Sequence, residues 1–533
     1  MARTLFIGLD GVTFTLLDEL VRELPGEGVA MPFVAKLMRD GFHAPLRSTA
    51  HPLTPPAWVS LITGRTPGHH GIFDFVRSED RVTDFYWTLS DRLDIRVETL
   101  WSIASRQDRR IVSLNFPMMS PPEPVNGCLV SGFVSWKHLR RNMTPDGLYD
   151  RIKAIPGFSA KELAWDFQRE SQIGEEMTQA ELEAWVDHHR PREEQWFRVA
   201  ETLLAEDKPD LFAVMFDGTD KLQHQVWHVL DPRLIKNGMS DADKRLRERV
   251  LGYYRRLDEY IARLAELAGP DARVFIASDH GFTASTEVVR INRYLGELGY
   301  LAWAENDGSA TAKRREDANF AFLDWSKTLA FCPTPSSNGI VIRVAREPGH
   351  PGVQPERYEA FRAKLIEDLL ALCGPDGGQV ITGVMTREDV FPGAAMHAAP
   401  DLTLTLRDHG FVSVRNRAPV VESRRVVAGT HHPDGVFIGY GPGVSNDHSR
   451  RMMNIVDVTP TLLYSLGLPV PQDFEGRVRD QMFTDEMFDE NPVLFGPPTQ
   501  PVANARGAAS SGATEAERAK ILEQLRALGY LEN

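Results

Sequence analysis

The sequence predicts an α/β protein with a mostly parallel central sheet, flanked by helices on both faces. Two observations predict it. Short apolar runs rich in β-branched and aromatic residues are typical of strands buried on both faces. Amphipathic helical patterns separate these runs, and strands that alternate with helices favour a parallel sheet. The predicted strands cover residues 4–9, 111–114, 211–216, 274–278 and 436–438.

Two long helices are predicted from their apolar stripes. Residues 244–267 place Leu246, Val250 and Leu257 on one face, and residues 357–372 show the same spacing of apolar side chains. The rest of each helix surface is charged and can face water.

A shorter helix is predicted from the stretch HPLTPPAWVSLITG, residues 51–64. Thr54 suits the N-cap, Pro55 the first helical position, and Gly64 the end of the helix. On these residues alone Thr54 is a helix cap. Its position directly before two prolines also leaves open a chemical role for its hydroxyl.

Composition shifts divide the chain of 533 residues. We expect a main domain at 1–485 with inserted cap segments, one helical at about 141–200 and one loop-rich at about 300–400. A flexible Pro/Gly/Ala/Ser linker is predicted at 495–514. A C-terminal helix at 515–533 would clasp the body or a neighbouring subunit, which makes a homo-oligomer one expected state.

The charge balance narrows the range of partners. Lys and Arg number 60 against 74 Asp and Glu, a net charge of −14, which argues against binding to nucleic acid. The three cysteines are far apart and predict neither a disulfide framework nor a thiolate site. The chain shows neither a signal-peptide core nor an 18-residue apolar run, so we expect a cytoplasmic protein without a membrane span.

Acidic and imidazole side chains follow the predicted strands. In a parallel sheet the carboxyl ends of the strands meet at one edge, where ligands bind. Two histidines also precede the last predicted strand. Asp and His without Cys suit zinc, manganese or iron, and six such ligands suffice for two ions. The candidates are Asp10, Asp217, Asp220, His224, Asp279, His280, His431 and His432.

The motifs resemble those of the alkaline phosphatase superfamily, and most closely its type I phosphodiesterase/nucleotide pyrophosphatase branch. The resemblance runs from about residue 4 to about residue 480 and implies an alkaline phosphatase-like fold for the main domain. The matching motifs are LFIGLDG, LTPPAWVSLITGRTPGHHGIFDF, DGTDKLQH, FIASDHGF, GTHHPDGVFIGYGPG and IVDVTPTLLYSLGLPVP.

The resemblance implies a site with two zinc-like ions. Asp10, Asp279 and His280 would hold one ion, together with the nucleophile Thr54.

Asp220, His224 and His431 would hold the other ion. The family's Asp stands four residues before its His, which selects Asp220 over Asp217. His431 matches the family pattern better than His432 does, but the residues alone leave both open.

The implied reaction is attack of the Thr54 hydroxyl on phosphorus, with a phosphothreonine intermediate. Coordination to a divalent ion favours the alkoxide of such a hydroxyl. The start of the helix would add backbone N–H donors and a positive dipole end for the phosphate oxygens. The substrate is then a small phosphate ester.

Two departures from the family pattern concern specificity. Nucleotide pyrophosphatases of this type carry an Asn where this chain has Phe75, and Asp74 or Asn115 could replace that oxyanion donor. Sulfatases carry an Arg where this chain has Trp58, which argues against sulfatase chemistry. Trp58 and Phe75 could instead form an apolar wall at the leaving group.

Three functions compete. The first is a metal-dependent phosphodiesterase. The second is a phosphomonoesterase or phosphomutase, which would need extra basic residues for the additional charge, and Arg47 and Arg65 are the nearest to Thr54 in sequence. The third, a non-catalytic binding protein of the same fold, predicts lost ligands, whereas all seven expected positions are filled.

Overall fold

The computed structural model describes residues 3–24, 26–81, 84–164, 177–236, 238–304, 323–334 and 336–502. Strands and helices alternate along most of this length. The strands are β1 Thr4–Leu9, β2 Phe42–Arg47, β3 Val76–Arg81, β4 Asp84–Leu89, β5 Ile111–Leu114, β6 Gly127–Val130, β7 Met143–Thr144, β8 Leu211–Phe216, β9 Arg273–Ala277, β10 Gly281–Arg290, β11 Ala330–Phe331, β12 Gly339–Ile342, β13 Ile381–Thr386, β14 Leu402–Leu406, β15 Val412–Ser413, β16 Val421–His432, β17 Asp434–Tyr440, β18 Met453–Asn454, β19 Val470–Pro471 and β20 Phe495–Gly496.

The α-helices are α1 Phe14–Leu20, α2 Pro32–Asp40, α3 Thr54–Thr63, α4 Pro67–His70, α5 Leu100–Ser105, α6 Leu148–Lys153, α7 Ala160–Leu163, α8 Gln179–Asp207, α9 Gly218–Val226, α10 Pro232–Ile235, α11 Asp241–Ala268, α12 Ile291–Glu297, α13 Tyr358–Leu370, α14 Arg387–Val390, α15 Val458–Ser465 and α16 Asp485–Glu490. Shorter 3₁₀ turns are Arg92–Asp94, Trp136–Asn142, Trp227–Val229, Pro355–Arg357, Met396–Ala398, Ile455–Asp457 and Asp480–Met482.

The predicted fold class is confirmed by a central sheet of nine described strands. Its order is β18-β2-β17-β9-β1-β8-β5-β6-β7. The five strands from β9 to β6 run parallel to their neighbours, whereas β17 and β7 pair antiparallel. All five predicted strands belong to this sheet. The carboxyl ends of β1, β5, β8 and β9 therefore share one edge, as the sequence predicts, whereas β17 runs in the opposite direction.

Helices cover both faces of this sheet. Alternate residues of β1 serve the two cores: Leu5 and Ile7 pack into one, and Phe6 packs into the other. The first core is built with α1, α2, α8 and α11, and the second with α3, α5 and α15. The helices predicted at 244–267 and 357–372 are confirmed as α11 and α13.

Two smaller sheets lie beyond the central one. The sheet β15-β10-β16 extends from the end of β9, because β10 begins one residue after His280. The sheet β11-β12-β14-β13 packs with α12 and α13 around its own apolar core. Within the described part of the chain, every helix is too short or too polar to span a lipid bilayer.

The predicted division of the chain stays a prediction. The range 141–200 contains α6, α7 and much of α8, and the range 300–400 contains β11–β13 and α13. The predicted C-terminal helix at 515–533, most of the linker, and residues 305–322 of the second insertion lie outside the described residues.

Candidate metal centre

Four candidate ligands lie where parallel strands of the central sheet end. Asp10 follows β1, and Asp279 and His280 follow β9. Asp220 lies in the first turn of α9, which begins two residues after β8. Since β8, β1 and β9 are adjacent, these side chains converge at the carboxyl edge of the sheet.

The remaining histidines reach the same point by different routes. His224 lies one turn after Asp220 on α9, so the two side chains project from the same face. His431 is the second-last residue of β16, which pairs antiparallel with β10 so that Phe282 faces His431. The rings of His280 and His431 stack with their centroids 3.6 Å apart. The pairing of β10 with β16 thus places His431 beside His280.

Two groups of buried donor atoms result. Asp10, Asp279 and His280 form one, and Asp220, His280 and His431 form the other, each with its ligand atoms within 4.8 Å of one another. His280 Nε2 lies 3.2 Å from Asp279 Oδ2 and 3.5 Å from Asp10 Oδ1. His431 Nε2 lies 3.1 Å from Asp220 Oδ1. His280 belongs to both groups and joins them.

The histidine orientations fit a bound cation. In each ring Nδ1 faces a backbone carbonyl: Gly429 for His224 at 3.1 Å, Gly281 for His280 at 3.1 Å and Pro52 for His431 at 2.7 Å. An Nδ1–H that donates to a carbonyl leaves Nε2 as a lone pair aimed into the centre, the arrangement seen in metal-ligating histidines.

The facing lone pairs need a positive charge between them. His224 Nε2 lies 3.1 Å from His431 Nε2, and Asp220 Oδ1 lies 3.5 Å from His224 Nε2. With Nδ1 protonated, these three atoms are all acceptors. Asp10 Oδ1, Asp220 Oδ1 and Asp279 Oδ2 are buried and accept no hydrogen bond from any described residue. The donor set therefore fits divalent cations.

The carboxylate pKa values reflect this crowding. Burial, together with the charges of Asp279 and Asp220, raises the pKa of Asp10 well above its usual value. Burial likewise raises the pKa of Asp279. Burial also opposes ionisation of Asp220, but its two neighbouring imidazoles outweigh burial and hold the pKa of Asp220 well below the usual value. Burial lowers the pKa values of His280 and His431.

Thr54 begins α3, but it does not cap it. Leu53 occupies the N-cap position and the Thr54 side chain makes no capping hydrogen bond, so the predicted cap role is wrong. The hydroxyl instead points into the centre, 3.4 Å from His280 Nε2. Gly64 ends the helix with a φ of 65°, as predicted.

The first turn of α3 offers fewer backbone N–H donors than the sequence predicts. Pro55 and Pro56 have no N–H, and the N–H of Ala57 donates to the Leu53 carbonyl at 3.0 Å. Of the first four residues, Thr54 alone has an N–H not used in this way. The positive end of the helix dipole remains directed at the centre.

Trp58 is a core residue rather than a substrate wall. Its side chain is fully buried beside Phe116, and its indole Nε1–H donates to Asp10 Oδ2 at 3.4 Å. Gly8 makes room for the ring, since a Cβ there would lie 2.5 Å from Trp58 Cη2. Trp58 therefore orients a candidate ligand.

The two candidates for the oxyanion donor are already engaged. The Asn115 amide donates to the Met215 carbonyl at 2.8 Å and to Asp217 at 3.3 Å. Asp74 accepts hydrogen bonds from the hydroxyls of Thr334 and Ser336, and burial raises its pKa to about 6. Neither side chain offers the N–H donor of the family's Asn.

The basic residues nearest Thr54 in sequence are also paired. Arg65 Nη1 lies 2.6 Å from Asp473, and Arg47 Nε lies 2.8 Å from Asp434. Of the adjacent histidines, His431 faces the centre, whereas His432 accepts a hydrogen bond from the Asp434 N–H and lies against His409.

Sequence reasoning missed a buried ion cluster at this edge. Asp217, which the sequence leaves beside the ligand pattern, pairs with Arg192 at 3.2 Å and Lys221 at 3.1 Å. The i,i+4 spacing of Asp217 and Lys221 indicates their contact. No sequence pattern links either residue to Arg192 on α8.

Comparisons with known proteins identify the family and the fold of this chain. The family model described as type I phosphodiesterase / nucleotide pyrophosphatase matches residues 4–434. A search of curated proteins found no match.

Two solved structures illustrate the fold. Phosphonoacetate hydrolase from Sinorhizobium meliloti is 15% identical, with a TM-score of 0.53 over 87% of this chain and 95% of that one. Human ectonucleotide pyrophosphatase / phosphodiesterase 5 is 14% identical, with a TM-score of 0.50 over 90% of this chain and 100% of that one.

The family match and the fold together define an alkaline phosphatase-superfamily hydrolase of phosphoric ester bonds. Within that superfamily, the chain belongs to the type I phosphodiesterase/nucleotide pyrophosphatase family.

Proposed function

We propose that this chain is a metal-dependent phosphodiesterase that hydrolyses phosphate diesters with Thr54 as its nucleophile. One observation carries the proposal. The buried Thr54 hydroxyl lies 3.4 Å from His280 Nε2, and His280 belongs to both groups of metal donors. A hydroxyl held beside converging cation ligands is placed for activation as a nucleophile.

Two divalent ions are proposed, with zinc the best match to the Asp and His donors and manganese or iron as alternatives. Asp10, Asp279 and His280 would hold one, with Thr54 as a further ligand. When bound, such ions favour the alkoxide of a hydroxyl and stabilise charge that develops on phosphoryl oxygens. The second ion is assigned to Asp220, His224 and His431.

The proposed nucleophile is Thr54, and the helix α3 that it begins orients its hydroxyl. Thr54 Oγ1 forms a bond to phosphorus as the bond from phosphorus to one ester oxygen breaks, which gives a free alcohol and a phosphothreonine that still carries the second ester group. Water then forms a bond to phosphorus, the bond to Thr54 Oγ1 breaks, and a phosphate monoester is released. The positive end of α3 favours the anionic phosphoryl group throughout.

The negative charge of the substrate is the reason that we expect a preference for diesters over monoesters. A monoester dianion carries one more negative charge than a diester and calls for an additional cation near the phosphoryl group. Arg65 and Arg47 are committed to Asp473 and Asp434. Both pairs thus leave the phosphoryl site without their positive charge.

The test compares bis(p-nitrophenyl) phosphate with p-nitrophenyl phosphate for the wild type and Thr54→Ala, with metal content measured on each protein. We expect the wild type to prefer the diester. Thr54→Ala should lower kcat by about 10³-fold or more, because the nucleophile is lost while six ligands stay in place. Acid-stable label on Thr54 after quenching with a ³²P-labelled diester would mark the intermediate.

Thr66→Ala is the matched control, since the Thr66 hydroxyl bonds the Glu475 carboxylate outside the centre, and it should keep full activity. Near-normal turnover by Thr54→Ala would refute the covalent mechanism. A preference of the wild type for the monoester would replace the diesterase by a phosphomonoesterase or phosphomutase.

A further inference from the structure

A buried ionic cluster that the proposed reaction does not use lies beside the candidate metal centre. We name it the α8 clamp: Arg192 and Glu193 of α8, Asp217 after β8, and Gly218, the first residue of α9. Its charged side chains are almost completely enclosed, with Arg192 3%, Glu193 2% and Asp217 1% exposed. Burial of a charged side chain costs free energy unless the charge is paired, so we expect these residues to have a structural role.

The Arg192 guanidinium group pairs with the Asp217 carboxylate directly after β8. Its Nη1 lies 3.3 Å from Asp217 Oδ1, and its Nη2 lies 3.2 Å from Asp217 Oδ2. The Nη1 contact is a hydrogen bond and the Nη2 contact is an ion pair, and together they join α8 to the end of β8. Lys221 shares the Asp217 carboxylate at 3.1 Å.

The Glu193 carboxylate binds the N-terminus of α9. Its Oε1 accepts the Gly218 N–H at 2.7 Å and the Tyr253 hydroxyl at 3.0 Å. A carboxylate on a free N–H of the first helical turn acts as an N-cap supplied from another helix. A third contact, from Trp185 Nε1 to the Lys221 carbonyl at 3.1 Å, holds the same turn.

The glycine at position 218 is required by this contact. A Cβ there would lie 2.5 Å from Glu193 Oε1 and 2.6 Å from the Tyr253 hydroxyl. The close approach of α8 to the first turn of α9 therefore depends on the absence of a side chain at this residue.

The helix α9, whose first turn contacts the α8 clamp, carries two of the candidate metal ligands. Asp220 lies two residues after Gly218, and His224 follows one turn later on α9. Both belong to the second ion site, whereas Asp10, Asp279 and His280 come from β1 and β9. A shift of the first turn of α9 would therefore displace ligands of one site and leave those of the other in place.

We propose that Arg192 and Glu193 are positioning residues that set the affinity of the second metal site. This inference rests on the proposed two-ion function. Residues that orient metal ligands typically change metal affinity by about 10–100-fold when they are replaced. Selective weakening of one site is the signature of positioning, whereas a general loss of stability would affect both sites.

The experiment titrates the metal-free full-length protein with Zn²⁺ against a chromophoric chelator and resolves the two binding steps. His431→Asn identifies the step that belongs to the second site. Arg192→Met and Glu193→Ala should each weaken that step by about 10-fold or more and leave the other step within about 2-fold. Arg192→Lys and Glu193→Gln keep a cation and an acceptor, respectively, and should recover most of the affinity.

Glu201→Gln is the control on the same helix, because Glu201 pairs with Arg263 of α11 and does not contact α9. It should leave both steps unchanged. Wild-type protein that binds fewer than two ions would refute the proposed function itself. Two-ion binding with an unchanged second step in the variants, or equal weakening of both steps, would overturn the role of the clamp. If Arg192→Met does not fold, the two Glu193 variants decide the outcome.

Discussion

The carboxylates of the metal centre are in electrostatic conflict when no cation is bound, and Asp10→Asn should relieve it. Asp10 and Asp279 are buried, with their ligand oxygens within 4.8 Å of each other. Two unit charges at that separation repel by about 3 kcal/mol at an effective dielectric constant of about 20. An amide at position 10 cannot ionise and can donate to Asp279 Oδ2, which accepts no other hydrogen bond from described residues.

The effect has a defined pH dependence. Burial and the neighbouring carboxylates raise the pKa of Asp10 above its value of about 3.9 in the unfolded chain. The folded state then holds a proton that the unfolded state has lost, so the cost is absent below about pH 4 and grows as the pH rises towards the folded pKa. Asp10→Asn removes this cost.

The assay is thermal unfolding of chelator-treated protein at pH 8 and at pH 4.5. We expect metal-free Asp10→Asn to melt about 3 °C above metal-free wild type at pH 8, since about 3 kcal/mol is divided by the unfolding entropy of a 533-residue chain. The difference should shrink at pH 4.5. With zinc present the order should reverse, because the variant has lost a ligand.

Asp150→Asn is the control, since Asp150 is an exposed carboxylate paired with Arg140. Its melting temperature should stay within about 1 °C of wild type in both states. Metal-free wild type that melts above Asp10→Asn at pH 8 would show that the buried carboxylates do not repel. Crowding of these carboxylates would then no longer indicate a cation site.

Two further substitutions test the packing that supports the centre. Trp58→Phe keeps an aromatic ring but loses the N–H that reaches Asp10 Oδ2, so affinity for the first metal ion should fall by about 10-fold; an unchanged affinity would make Trp58 a packing residue alone. Gly218→Ala places a methyl group against Glu193 and Tyr253 and should destabilise the protein by about 1–3 kcal/mol, as measured by urea unfolding; unchanged stability would mean that α8 does not press closely on α9.

The sequence predicts the sheet, and the convergence of acidic side chains at one of its edges, because both follow from local patterns. Buried strands read as continuous apolar runs, and the residues just after β1, β8 and β9 share an edge by topology alone. The partnership of Arg192 with Asp217 has no such local sign. It depends on how α8 crosses the end of β8, which is decided by tertiary packing.

The error at Thr54 has a similar cause. Thr, Ser, Asp and Asn before a helix are usually caps, and sequence cannot show which way the side chain points. In the structure Leu53 is the N-cap residue, and the hydroxyl one position later is turned to His280. The β10–β16 ladder that delivers His431 is also beyond sequence reasoning, because its two strands lie about 140 residues apart.

The ladder between β10 and β16 also has a consequence during synthesis. His431 is the last candidate ligand to be made, 421 residues after Asp10. At translation rates of about 5–20 residues per second, that interval lasts roughly 20 to 80 s. During this period the growing chain adds Asp220 and Asp279, while its centre still lacks His431. Binding of both proposed ions would therefore be a late event, which follows synthesis of the C-terminal part of the domain.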